Sequence, residues 1–409
     1  MDVSSLTGGK APEQETPAVE YRAQAASPFV NGEVRLTISE NALSVLSPLD
    51  AIELAFCEIN ELALEDYVIT VKADCGDFVF SRLGSWCEPF YLSLFEAYNK
   101  AVLRSLFVMS SPILTTKGNY RYTEPTANGS ALASIQVFGN SVVALPPDLG
   151  ARRVPLCFVS DIVKGDFELT LKLSTNESYS FARLGYETAT FAETIEGQLR
   201  LMREHSLEAV KELDASLGAI PAMQIAKLMP RGVSAPFGQL SAIAPSFVAA
   251  LESLLQSSRI DETYRIFKDL CDPAQIYVGF KKNLEFFANP DDETLSTDAY
   301  MLWLIAPSPD GRFAAVEFAE SNSATFVYKT DGDFASFALQ LNRSLEAIDF
   351  KREVIRLSDD DLKKPQNADY FMAAKRTAAL QFVRTHYVGR IIHSSAESWK
   401  RKLMEFWGL

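Results

Sequence analysis

The chain has 409 residues, 47% hydrophobic and 22% charged, with a formal net charge of −14. That length exceeds one ordinary core, so two to four domains are expected. The acidic balance disfavours nonspecific binding to nucleic acid or to anionic lipid, because the mean field repels polyanions.

Residues 1–27 are rich in Ser, Thr, Pro, Glu and Gln with little periodicity, and read as a disordered tail. No basic start leads into an apolar segment, which argues against a secretory signal. The most apolar stretch, Ala242 to Leu255, is interrupted by Glu252 and is too short to span a bilayer. The five cysteines, Cys57, Cys75, Cys87, Cys157 and Cys271, are odd in number and form no C-x-x-C pair. Neither a disulfide framework nor a zinc site is signalled, and a cytoplasmic location is expected.

From residue 28 the chain repeats itself. Leu54–Tyr67 aligns with Val154–Phe167 at an offset of 100, placing Cys57 on Cys157, Leu62 on Ile162 and Asp66 on Asp166. Ile69-Thr-Val-Lys72 then lies over Leu169-Thr-Leu-Lys172, and Phe80-Ser-Arg-Leu-Gly84 meets Phe181-Ala-Arg-Leu-Gly185 at offset 101. Upstream the offset falls to 99 and then 97, where Asn31-Gly32 meets Asn128-Gly129. The offset slips at segments rich in turn formers, such as Ala73–Asp77 and Ser174–Ser178. A one-residue change inside a half-buried strand would turn its side chains to the wrong face, whereas turns absorb such changes. The matched blocks therefore read as strands and the gaps as hairpin loops.

Each copy closes with a helical pattern. Phe90, Leu94, Tyr98 and Ala101 follow Gly84; Phe191, Ile195, Leu199 and Met202 follow Gly185 at the same spacing. Both stripes mark one face of a helix. The expected fold class is α+β: tandem antiparallel β-sandwich or barrel modules, 28–112 and 113–206, each capped by a C-terminal helix.

The strand blocks 54–72 and 154–172, the Phe-x-Arg-Leu-Gly turns and the following helices resemble the pleckstrin-homology-like superfamily, in particular its bacterial, GRAM-like members. The resemblance covers roughly 29–108 and 127–206. It implies a sandwich of two sheets with one open end plugged by the helix. Members that bind phosphoinositides carry a basic cluster across the first hairpin. Here the corresponding segments, Thr37–Ser44 and Gln136–Val143, contain neither Lys nor Arg. Phosphoinositide is therefore not an expected ligand, since phosphate recognition needs charge-assisted donors.

Residues 207–272 read as a helical spacer punctuated by Pro221, Pro230, Gly232 and Pro236. Strand patterns return over 273–349 and end in a helix carrying Phe334, Phe337, Leu341 and Leu345, which suggests a divergent third module. Residues 350–409 read as C-terminal helices. Between Lys375 and Lys402 seven basic residues stand against one acidic residue, Glu397, the sharpest charge contrast in the chain.

Arg82 and Arg183 occupy the same place in both copies; they either grip an anion or lay their stems over the helix base. Gly84 and Gly185 supply a tight turn. Cys57 and Cys157 read as small apolar residues on equivalent core strands. The segment bearing Trp399, Arg401, Phe406 and Trp407 can dock on the chain's own acidic modules, bind a partner, or lie weakly on anionic membrane. Asp359-Asp-Asp361 after Ser358 reads as a capped helix start. The three histidines, His205, His386 and His393, form no metal-binding pair, and no nucleophile elbow, Walker loop or dinucleotide fingerprint is present. No catalytic residue, metal or cofactor is expected. The function these patterns suggest is a non-catalytic intracellular scaffold that binds protein or peptide. Peripheral membrane association through the C-terminal helix is the alternative, and an enzyme with an unmotifed site is the third reading.

Overall fold

The computed structural model describes residues 19–282, 300–319 and 324–409. It is an α+β chain with three antiparallel sheets and, among the described residues, twelve α-helices. It forms two compact units, divided between Ala101 and Val102.

The first unit holds a seven-stranded sheet of β1 (Glu20–Ala26), β2 (Asn31–Ile38), β3 (Ala42–Leu46), β4 (Ala51–Ala55), β5 (Ile59–Glu65), β6 (Val68–Ala73) and β7 (Gly76–Ser81). The spatial order is β4-β3-β2-β1-β7-β6-β5, so the first strand pairs with both the second and the last. Alternation is clearest in β6, where Ile69 and Val71 are fully buried while Lys72 is exposed. Helix α1 (Cys87–Ser105) begins after a 3₁₀ turn, Gly84–Trp86. Its stripe of Phe90, Leu94, Tyr98 and Ala101 is buried, with Tyr98 donating to the Ile59 carbonyl at 3.4 Å and Phe90 4.9 Å from the Tyr21 ring.

Strand β1 corrects the expected tail. Residues 1–18 lie outside the described residues, but Glu20–Ala26 is a strand whose Ala23 and Ala25 face the core. The true first hairpin therefore turns at Ser27–Val30, one hairpin earlier than expected, and this turn also lacks a basic residue.

In the second unit β8 (Leu114–Thr123), β9 (Asn128–Val137), β10 (Ser141–Leu145), β11 (Arg152–Pro155), β12 (Val159–Lys164), β13 (Glu168–Leu173) and β14 (Ser178–Ala182) take the equivalent order, β11-β10-β9-β8-β14-β13-β12. The two sheets agree in detail. Each has a register irregularity after the first residue of its fifth strand, at Ile59/Glu61 and Val159/Asp161. Each carries a 3₁₀ turn before that strand, and Cys57 and Cys157 sit in these turns rather than on strands. Helix α2 (Thr188–Leu213) buries Phe191, Ile195 and Leu199 in the core of the second sheet. It runs past the expected boundary at residue 206.

The remaining helices are α3 (Ala219–Leu228), α4 (Phe237–Ile243), α5 (Pro245–Gln256), α6 (Asp261–Leu270), α7 (Phe334–Ala347), α8 (Glu353–Arg356), α9 (Asp359–Leu362), α10 (Ala368–Arg376), α11 (Ala378–His386) and α12 (Ala396–Trp407). They cover a third sheet made of β15 (Ala235–Pro236), β16 (Tyr277–Lys282), β17 (Tyr300–Pro307), β18 (Phe313–Phe318), β19 (Ala324–Lys329) and β20 (Tyr387–Ile392). This sheet is a plain meander in sequence order, without the first-to-last pairing of the other two. Leu302, Leu304 and Ala306 of β17 join one core with α3–α6 and α12, whereas Trp303 and Ile305 join another with α7 and α11. A sheet covered on both faces accounts for the near-continuous apolar run of its middle strands.

Two strands of this sheet come from segments expected to be helical. β15 lies in the expected spacer, and β20 lies among the expected C-terminal helices. Gly389 of β20 admits the Phe406 ring of α12; a Cβ there would fall 2.8 Å from that ring. Ser358 caps α9 by accepting from the Asp361 amide at 3.1 Å, as its cluster of aspartates suggested.

Candidate functional site: two aromatic–arginine tips

The fifth and sixth strands of the first sheet are joined by a two-residue turn, Asp66-Tyr67, with φ of 48° and 61°. Both residues are left-handed, the geometry that matches the twist of a hairpin. Asp and Tyr adopt it at some cost, since their Cβ atoms crowd the backbone there. The turn leaves Tyr67 78% exposed. Continuing the β6–β7 register two steps beyond its last pair, Ile69 with Phe80, places Arg82 opposite Tyr67.

Arg82 is itself left-handed, at φ 62°, and exposed. Leu83 after it is buried, and Gly84 is left-handed again at φ 60°. A Cβ at Gly84 would meet nothing within 4 Å, so glycine serves backbone freedom here and not space. Trp86, at the end of the 3₁₀ turn, is 61% exposed and meets the Tyr21 ring edge-on at 6.1 Å. The Cys87 thiol donates to the Tyr67 carbonyl at 3.3 Å, tying the hairpin tip to the start of α1.

The second sheet presents the same set. Phe167 is 76% exposed at the β12–β13 tip, and its carbonyl accepts from the Arg183 amide at 3.3 Å. Arg183 is left-handed at φ 58°, Leu184 is buried, and Gly185 is left-handed at φ 63°. Tyr186, in the following turn, is fully exposed. Each tip thus has an exposed aromatic on the hairpin, an exposed arginine across from it, and a second exposed aromatic leading into the helix.

Comparisons with protein-family models and with curated proteins find no match.

Chemically, each tip segment carries two exposed rings and an exposed five-donor cation. Burying one such ring on a partner removes on the order of 150–250 Å² from water, and Tyr, Trp and Arg are the side chains that dominate interface energetics. The surroundings are acidic: Glu65, Asp66 and Glu88 are exposed near the first tip in sequence, and Asp166 and Glu187 near the second.

Of the other residues singled out from sequence, Trp399 and Trp407 are 3% and 0% exposed and belong to the core. Their rings lie 5.6 Å and 6.3 Å from that of Phe267. Phe406 is partly buried against the same cluster. Only Arg401 remains at the surface. The apolar face of α12 is packed into the chain's own core, and Arg401 and Lys402 lie on its exposed face. Among the described residues no group of three His, Cys, Asp or Glu side chains is arranged to hold a metal, and no helix is long and apolar enough to cross a membrane.

Sequence reasoning found the two arginines but missed their aromatic neighbours. The available signal was the pair Tyr67 and Phe167, equivalent aromatics placed beside an aspartate at a hairpin turn, where polar residues are the usual choice.

Proposed function

We propose that this chain is an intracellular, non-catalytic interaction adaptor in which two pleckstrin-homology-like modules hold a protein partner through their aromatic–arginine tips. The module reading is supported by the shared strand order of the two seven-stranded sheets and by a following helix with a buried stripe in each. The observation that carries the functional reading is the recurrence of Tyr67/Arg82/Trp86 as Phe167/Arg183/Tyr186. Exposed rings and a left-handed arginine cost solubility and backbone strain, and two sheets of the same chain bear both costs at equivalent positions.

The partner is a protein surface with aliphatic groups to cover the rings and basic side chains to match the acidic rim of each tip. A chain of net charge −14 favours such a partner electrostatically. Two tips on one chain add effective concentration, so a partner with two matching patches gains over either patch alone.

The test is affinity capture with the full chain in extracts of its native cells. Wild type is compared with Tyr67→Ser/Trp86→Ser, with Phe167→Ser/Tyr186→Ser, and with a distant surface variant, Lys100→Ser. A basic protein recovered by wild type and Lys100→Ser, and depleted at least tenfold by either tip variant, supports the adaptor. If every recovered protein is indifferent to the tips, or if the tips govern binding to phosphatidylserine vesicles instead, the reading fails.

A further inference from the structure

We propose that a cleft in the second unit, separate from both tips, binds a small molecule through its phosphate or carboxylate group, which is read by Arg343 and the N-terminus of α11. The cleft has a volume of about 460 Å³ and is lined by the second sheet on one side and by α7 and α11 on the other. That is room for a small metabolite.

Three buried guanidinium groups stand at its wall, with side-chain exposures of 10%, 6% and 5% for Arg152, Arg153 and Arg343. Each is anchored by a carboxylate. Arg152 Nε donates to both oxygens of Glu124 at 3.0 and 3.1 Å, and its guanidinium lies 4.2 Å over the Tyr122 ring. Arg153 grips Glu346 with two nitrogens, at 2.7 and 3.1 Å. Arg343 donates from Nη2 to Glu177 at 3.1 Å.

The acceptors of this array are satisfied, whereas several donors are not. Glu177 takes Thr175 Oγ1 at 2.8 Å on one oxygen; the other faces Arg343 and the Tyr179 hydroxyl, at 3.1 and 2.5 Å. Asp331, also at the cleft, faces His386 Nε2 at 3.2 Å. By contrast Nε and Nη1 of Arg343, and Nε of Arg153, are buried without a hydrogen-bond partner. A buried N–H left unmatched is costly, and a guanidinium more so than a neutral group.

The facing wall adds more donors. Helix α11 starts at Ala378, and Ala378 and Ala379 line the cleft. Its capping residue, Thr377, makes no side-chain cap bond, and Thr377 Oγ1 is buried without a partner. The first-turn amides of a helix have no acceptor within the helix, and the dipole there favours negative charge. An uncapped helix start and a buried, partly unmatched arginine therefore stand at the wall of one cavity; the unmatched nitrogens have no exposed surface in the free protein, so an oxyanion reaches them through a local shift of that wall.

The test is calorimetric titration of the full chain with inorganic phosphate, glycerol phosphate and acetate against chloride at matched ionic strength. Saturable binding is expected, with the order of affinities separating phosphate from carboxylate ligands. Ala378→Asp places a carboxylate in the first turn; it should weaken the preferred anion at least tenfold while the unliganded melting temperature holds or rises. Ala378→Pro, tolerated at the first helical position, removes one amide donor and should weaken binding severalfold. Arg343→Lys keeps the charge beside Glu177 and should also weaken binding. Equal affinity in wild type and Ala378→Asp, or no saturable heat with any of the three anions, overturns the proposal.

Discussion

His393 Nε2 lies 3.0 Å from Oε2 of Glu317, a carboxylate with no solvent exposure at all. Thr325 donates to the same oxygen and in turn accepts from the Trp399 indole at 2.6 Å, so the pair is wired to α12. The hydrogen bond to Glu317 raises the His393 pKa above its usual value, against the opposing effect of burial; the charges of Glu317 and Glu262 add to the rise. A folded state that holds this proton more tightly is fully stabilised by it below about pH 6.5, the unfolded value, and loses that contribution as pH rises through the folded pKa. Urea unfolding at pH 5.5 and 8.5 should show wild type losing more stability across this interval than His393→Gln. Equal losses would disconnect the pair from stability.

The helix stripes give a second prediction. Phe90 and Phe191 are completely buried, each against the sheet that precedes its helix. Truncating either to alanine should cost about 3–5 kcal/mol, read as a lower urea midpoint. A loss below about 1 kcal/mol would mean that the surrounding core closes over the gap.

The two faces of α12 should respond in opposite ways. Trp407→Ala empties a site of zero exposure and should destabilise by about 3–5 kcal/mol. Arg401→Ala and Lys402→Ala, both on the exposed face, should stay within about 0.5 kcal/mol of wild type. Melting curves of the three variants check this directly.

At the tips, Arg82→Gly and Arg183→Gly relieve left-handed backbone at φ 62° and 58°. They should leave stability unchanged or raise it by up to about 1 kcal/mol, while capture of the tip partner falls. A drop in stability would instead assign the arginine stems a packing role.

Arg153 and Glu346 form a buried, two-toothed pair. Arg153→Met alone should cost about 3–5 kcal/mol, because it strands a carboxylate away from water. Arg153→Met/Glu346→Leu should recover most of that loss. Chemical unfolding of the single and double variants completes the cycle.

How much of this could be read from the chain depended on distance along it. The hairpins and helix stripes of the two seven-stranded sheets were legible because strand alternation and helical spacing are local signals. Strand β1 was not, since Tyr21, Ala23 and Ala25 alternate correctly but two of them are too small to register as a hydrophobic face. β20 was read as helix because its six residues, with only Ile391 buried, form a short edge strand inside a helical stretch. The Arg153–Glu346 pair joins positions 193 residues apart, and no local pattern announces such a contact. The tips fell between these cases: their arginines were found through internal alignment, while their exposure depends on turn geometry that spacing does not encode.

The pairing of β1 with β7 also constrains how the first unit can assemble. Gln24 and Ser81 are neighbours in space but 57 positions apart in sequence. Closing a loop of that length costs about 3.5 kcal/mol of chain entropy, a debt that no single hairpin inside it can offset in advance. The hairpins should therefore flicker early and lock together late, when the first strand finds the last. A nick anywhere inside that loop would turn a unimolecular closure into an encounter of two fragments, with refolding that depends on concentration.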